Sequence, residues 1–598
     1  MKQFFKFMFA SVLGVLIATL ILVIVGICFF AGLAATNSSS KNYSPGKNSV
    51  LQIDLKGALT ETTSDNPFNF LLGNDTEGMS VEDAVKAIRR AKENSNIKGI
   101  YLNAGSIQGG FASLETIRRE LTSFKKSGKF IIAYGDIYSQ GDYYLCSTAD
   151  SIFLNPEGTV SMVGLASQAI FYTGLAEKLG VEFNIFKVGT YKSAVEPYFL
   201  KKMSDANREQ LTSTLNNIWG NFTTTIAKDR KIPLDSLTNY MNKGLAAFNV
   251  GDLGGPNNAI TYKLADALRY RYEVENCVKK LAGQDMDDEL KTINVEKAST
   301  IAAKEKSSKN KIAVLYASGE IIEEGGTTTN PMKMADESIT YEMAKSLRKL
   351  KDDKDIKAVV FRVNSPGGSA FVSEQIWKEV YEMKKVKPIV VSMGDYAASG
   401  GYYISCAANE IVAEKTTITG SIGVFGLFPN FAGSFGKVGL TTDVVKTNTY
   451  ADLGDFSRPM REDEKVLIQH SVEHTYDIFL THVAKGRGKT KAEVDSIGQG
   501  RIWSGEQGLK LGLVDKIGGI DVAVNEAAKL AKVKDFKVVK ADGPKDFLTK
   551  YFEEKFESAK ASIVKSVLGD EYELFNTIQR AKREKGIIAR IPYNMNTM

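Results

Sequence analysis

Histidine is scarce in this chain. There are three in 598 residues, His470, His474 and His482, all close together. None lies beside a distinctive acidic motif, which weakens any Ser-His-Asp reading. His470-Ser471-Val472-Glu473-His474 has the H-x-x-E-H form of an inverted zinc motif, and at i, i+4 the two histidines share a helix face. No third ligand is identifiable, so a zinc site on His470, Glu473 and His474 is the lesser alternative, and no cofactor is expected. Cysteine is also sparse. Cys28, Cys146, Cys277 and Cys406 have neither a metal-binding spacing nor the density of a disulfide framework. A chain this long can fold on its core without one. No charge of one sign dominates: the net charge is +6, with no basic patch interleaved with aromatics, so nucleic acid is not an expected partner.

A long hydrophobic run is present. Lys2 and Lys6 precede an uncharged stretch from Phe7 to Ala35. About 20 apolar residues span a bilayer, whereas the apolar part of a cleaved signal peptide has roughly 7–15. The reading is therefore an uncleaved anchor, although Leu33-Ala34-Ala35 offers small residues for cleavage. The lysines before the run place the N-terminus in the cytoplasm and the body outside. Residues 36–47, rich in Ser and Asn, read as a stalk.

The rest of the chain is written twice. Asn96-Ile97-Lys98-Gly99-Ile100 matches Asp355-Ile356-Lys357-Ala358-Val359, an offset of 259. Gly135-Asp136 matches Gly394-Asp395, Tyr143-Tyr144 matches Tyr402-Tyr403, and Gly164 matches Gly423, all at the same offset. Each copy alternates apolar strands with amphipathic helices, which predicts an α/β fold of two tandem lobes. The divisions expected are an anchor and stalk (1–47), a first lobe (48–280), a charged linker (281–310), a second lobe (311–543) and a helical extension (544–598).

The copies differ where chemistry would sit. Val390 to Tyr403 reads as a buried strand, a tight turn and a helix starting near Ser399, so a hydroxyl meets the free amides of a helix N-terminus. Alone this is an ordinary N-cap. The counterpart of Ser399 is Gln140, which cannot be a nucleophile. The first copy instead carries Thr190-Tyr191-Lys192, against Thr449-Tyr450-Ala451 in the second. One copy holds a lysine without the serine and the other a serine without the lysine. A serine needs a base, and a desolvated neutral lysine can serve. Asn364-Ser365-Pro366-Gly367-Gly368, at a strand end, reads as a turn whose bare amide could be a second oxyanion donor beside Gly400.

With Gly189-Thr190-Tyr191-Lys192-Ser193-Ala194-Val195-Glu196-Pro197, Ala397-Ala398-Ser399-Gly400-Gly401-Tyr402 and Thr419-Gly420-Ser421-Ile422-Gly423, the chain resembles the long, tandem form of the signal peptide peptidase A (protease IV) family, peptidase family S49, in the ClpP/crotonase superfamily. The resemblance implies two crotonase-like lobes, with Ser399 as nucleophile and Lys192 as general base. It implies an oxyanion hole at Gly400 with Gly368 and, less surely, Gly367, and Ser421 hydrogen-bonded to the lysine amine. It further implies hydrophobic peptide substrates, signal peptides among them, and a homotetramer on the membrane. A scaffold of the same fold without catalysis is the alternative from a different class.

Overall fold

The computed structural model describes Gly14 and residues 43–62, 78–243, 256–303, 308–323, 338–541 and 587–590. The run Phe7–Ala35, Gly14 apart, lies outside the described residues. Among the described residues no helix is long and apolar enough to cross a membrane.

Each half builds its own mainly parallel sheet. The first runs Gly78–Ser80, Ser49–Thr60, Ile97–Gln108, Phe130–Tyr138, Ser151–Val160, Ala267–Leu268. The second runs Ile502–Ser504, Ile418–Gly420, Ile389–Ala398, Ile356–Ser365, Lys311–Ser318, Lys537–Lys540. Runs such as Val359-Val360-Phe361 suit strands covered on both faces. Alternate residues do face opposite ways. Val359, Phe361, Val391 and Ile411 pack with Leu347, Ile376, Tyr402 and Val472 of four helices. Val360, Val390 and Val412 pack under Ala523 and Ala527 of helix Ile520–Leu530. In the first lobe Tyr101 and Ile132 pack under Val274 and Val278 of helix Arg271–Ala282 in the same way.

The duplication extends to individual bonds. Ile100 pairs with Ile131 and Val359 with Ile389. The Tyr143 hydroxyl donates to the Leu264 carbonyl at 2.7 Å, and Tyr402 to Leu513 at 2.9 Å. The amides of Ile152 and Ile411 each donate to an aspartate, Asp266 and Asp515, at 2.7 Å. Lys129 reaches back to the carbonyls of Ala91 and Asn94, and Lys387 to their counterparts at Leu350 and Asp353 and also to Ile356. Those two lysines are 258 apart, so the second copy gains one residue before Gly394.

Three expectations change. The stretch 281–310 is not simply a linker: strand Thr292–Ile293 pairs with Val50-Leu51, and Ile293, Ala298 and Ile301 are buried in the first lobe's core. Its few apolar residues are masked in the sequence by the charges around them. In the extension 544–598, the described part is a strand, Ile587–Arg590, not a helix; the remainder lies outside the described residues. Finally, Ala451 does not mirror the setting of Lys192. Strand Glu182–Val188 is held by the second lobe, whereas its counterpart at 441–447 forms no strand, and Ala451 lies exposed in a turn.

Candidate active site

The lysine enters the second lobe along a strand. Glu182–Val188 pairs antiparallel with Val424–Asn430, with Val188 opposite Val424. Lys192 follows the end of one strand and Ser421 precedes the start of the other, so the pairing brings them together. A loop of the second lobe then clamps the turn. The Tyr191 amide donates to the Gln499 carbonyl at 2.8 Å, and a Cβ on Gly500 would come within 2.6 Å of the Lys192 backbone. Gln210 holds the other side, donating to the Tyr191 carbonyl at 2.9 Å and to Ser193 Oγ at 3.0 Å.

Lys192 Nζ lies 2.7 Å from Ser399 Oγ and 3.1 Å from Ser421 Oγ. The Ser421 carbonyl oxygen is 3.4 Å away, and the Phe425 ring centroid 5.9 Å. Lys192 is 1% exposed and Ser399 is fully buried. Burial alone drives the lysine pKa well below its ordinary value, since an ammonium here would lose its hydration without gaining a carboxylate partner. Ser421, expected beside the amine, is there.

Ser399 is not an ordinary N-cap. Its φ is 56° and ψ −115°, and its side chain makes no cap bond to helix Gly400–Ser405. Its amide donates to Gly420 at 2.8 Å, which fixes the bend. A non-glycine residue held there is strained, and such strain collects at functional sites. The hydroxyl is thereby aimed at the lysine instead of back at its own helix.

The Pro-Gly-Gly turn lies against that helix start: a Cβ on Gly400 would meet Gly367 Cα and Gly368 N at 3.1 Å. The two glycines have different amides. The Gly367 N–H donates to Ser365 Oγ at 3.2 Å. Ile321 bonds to the Gly367 carbonyl and the Ser369 amide, so the Gly368 N–H points to the other edge of the strand. Gly368 and Gly400 are the better-placed pair of donors.

Contacts the sequence reading did not foresee lock the lobes around this turn. Glu61 of the first lobe takes Arg362 bidentately at 2.9 and 3.0 Å and accepts from Asn364 at 3.0 Å. Arg362 is buried, and losing one partner of such a pair costs about 3–5 kcal/mol. Asp395 accepts from the Ser113 amide and hydroxyl at 2.8 and 2.6 Å. The only hint in the sequence was Arg362 inside an apolar strand.

Among its described residues the first lobe has no equivalent site. Gln140 bonds to the backbone at 163–164. Asp142, which replaces Gly401, accepts from the amides of Ser106 and Ile107 at 2.9 and 3.0 Å, so a carboxylate is tied to the first lobe's turn where the second lobe has a bare glycine. His470, Glu473 and His474 lie exposed on helix Glu462–Arg487, and no group of three metal-ligating residues occurs among the described residues.

The chain is similar to several known proteases. Protease 4 of Haemophilus influenzae is 38% identical over 473 residues, 77% of this chain and 75% of that protein. Protease 4 of Salmonella typhi is 36% identical across 89% of this chain and 85% of its own. The chloroplastic serine protease SPPA of Arabidopsis thaliana is 31% identical across 81% and 70%. The family model described as peptidase family S49 matches residues 123–285 and 381–534, one stretch in each lobe. Likeness over most of the chain, in both lobes, makes this protein a member of peptidase family S49 and a serine protease.

Proposed function

We propose that Ser399 is the nucleophile and Lys192 its general base, in an endopeptidase that degrades hydrophobic peptides such as cleaved signal peptides left in the membrane. The observation that carries this is the 2.7 Å contact between a buried lysine and a strained serine. Neutral Lys192 accepts the Ser399 proton as Oγ attacks the peptide carbonyl. Gly400 and Gly368 donate to the resulting oxyanion, and Ser421 holds the amine in line. Lys192 then gives the proton to the leaving amine, and the acyl-enzyme is released by water that the lysine activates. An intact site of this kind argues against a scaffold without catalysis. Purified protein should cut a synthetic signal peptide into fragments, and Ser399→Ala should not; an uncut apolar peptide would remove this substrate class.

The same reading includes an anchor at Phe7–Ala35 with the body in the periplasm, and a homotetramer. Protease added to spheroplasts should digest the body; full protection would contradict the anchor's orientation. The tetramer is supported by two edges. Within the chain, Val424–Asn430 is covered by Glu182–Val188. The offset-related segments, 165–171 and 441–447, have no strand partner among the described residues; Val445 in the second is 100% exposed, and Val444 beside it and Ile170 in the first are also open. Pairing 165–171 of one copy with 441–447 of the next would repeat the internal junction around a ring. Val445→Asp should then lower the mass in solution, measured by light scattering, and an unchanged mass would count against this contact.

A further inference from the structure

Lys192 comes with the first lobe, and Ser399 and Ser421 with the second. The distance between base and nucleophile therefore depends on how the two lobes are held. On the second lobe the support converges on two residues, Arg501 and Ile502. The Ser421 amide donates to the Arg501 carbonyl at 2.7 Å. Ile502 lies opposite Gly420 in the antiparallel pairing of Ile502–Ser504 with Ile418–Gly420, and the Gly420 carbonyl takes the Ser399 amide at 2.8 Å. Whatever holds Arg501-Ile502 holds both serines.

Helix Asp205–Arg230 of the first lobe does so through two adjacent residues. Gln210 Oε1 accepts from the Ile502 amide at 3.1 Å, and its Nε2 donates to the carbonyl of Tyr191, next to Lys192, at 2.9 Å. A carboxamide carries a donor and a separate acceptor at one tip, without charge, so it can join a carbonyl of one lobe to an N–H of the other. Gln210 is 1% exposed, so no bulk water stands ready to replace these bonds. Glu209 takes the Arg501 guanidinium bidentately at 2.6 and 2.9 Å, and Arg501 lies over the rings of Tyr191 and Trp503.

The duplication sets this pair apart. The two long helices begin 257 residues apart, at Asp205 and Glu462, so Glu209 and Gln210 correspond to Val466 and Leu467. Both of those are exposed apolar residues. Like Lys192, the polar pair stands only on the copy that reaches across to the serine.

We infer that Gln210 is a positioning residue for the dyad: by joining the Lys192 turn to Ile502 it fixes the distance between base and nucleophile across the lobe junction. The inference rests on the Ser399–Lys192 reading. Misplacing reacting groups by about 1 Å costs about a hundredfold in rate. The same bond keeps the amine dry, since a loosened turn admits water beside Nζ and restores part of the ammonium's hydration.

The test compares Gln210→Met, of similar length but without the amide, with Asn217→Ala. Asn217 lies two turns further along the same helix and also bridges to the second lobe, at Ser504 and Glu506, but touches neither Arg501-Ile502 nor the Lys192 turn. Gln210→Met should lower kcat on an apolar peptide about 10–100-fold, with KM changed less than about threefold. The pH at which phosphonate labelling of Ser399 reaches half its maximal rate should move up by about one unit. Asn217→Ala should leave both readouts near those of the unsubstituted protein. Gln210→Asn, polar but one methylene too short to span both partners, gives the same readouts if Gln210→Met does not fold. An unmoved pH midpoint, or the same changes in Asn217→Ala, would overturn the proposal. Failure of the dyad reading shows elsewhere, in a labelling profile of the unsubstituted protein that Lys192→Ala leaves unchanged.

Discussion

Lys192→Ala and Ser399→Ala each lose at least about a thousandfold in kcat/KM on an apolar peptide, and the double variant is little worse than either. The near-equality follows from geometry. The two side chains touch at 2.7 Å, and in the proposed mechanism they act in one proton transfer, so removing either removes the step. Independent contributions would instead multiply. Lys192→Arg does not restore activity, because guanidinium stays protonated and its planar fork does not fit a pocket built around one amine. Ser421→Ala has a smaller effect, since it removes one of three oxygens around Nζ but not the base. Steady-state kinetics on the purified variants checks the set. Near-normal activity in Lys192→Ala alongside a dead Ser399→Ala would require another base.

Gly368→Ala is the second large effect, a loss of about 10²–10³ in kcat with KM less affected. At φ 152° an added Cβ would come 2.0 Å from the Ile321 carbonyl oxygen, which is backbone and cannot move aside as a side chain would. The strand must shift, and the Gly368 N–H shifts with it. The control is Gly109→Ala, the counterpart in the first lobe. There the nearest atoms are side-chain atoms of Leu59, at 2.7–3.1 Å, so the variant also strains its surroundings, but in the lobe that lacks the serine. Gly109→Ala should keep kcat. Equal losses in both variants would mean that the effect is general damage to the fold, and normal kcat in Gly368→Ala would remove this turn from the oxyanion hole.

Much of this was legible in the sequence because duplication supplies its own comparison. The shared offset exposed Gln140 against Ser399, and the strands and helices follow it closely. The lysine was legible for the same reason, as the residue present in one copy and absent from the other. What failed to show had physical causes. Ala451 was expected to mirror Lys192, but the strand leading to Lys192 exists only because the second lobe pairs with it. Its counterpart has no such partner within one chain. The clamp at Gln499-Gly500 and the Glu61–Arg362 lock depend on contacts between residues some three hundred positions apart, which no periodicity encodes. Asp142 in place of Gly401 was visible as a letter change, yet its meaning, a carboxylate tied to the first lobe's turn, needs the fold. The tail strand Ile587–Arg590 is four residues in a charged segment, too short for a pattern to stand out.

The central claim is that a neutral, desolvated Lys192 activates Ser399. Its most direct test is the rate at which a serine-reactive phosphonate modifies Ser399, followed by mass spectrometry from about pH 5 to about pH 10. Burial lowers the lysine pKa, and the protonated form cannot accept the hydroxyl proton. The account predicts a rate that rises with pH through the lowered pKa and levels above it, and a Lys192→Ala protein that labels slowly without that rise. A flat or falling profile in the intact protein, or the same rise in Lys192→Ala, would contradict it.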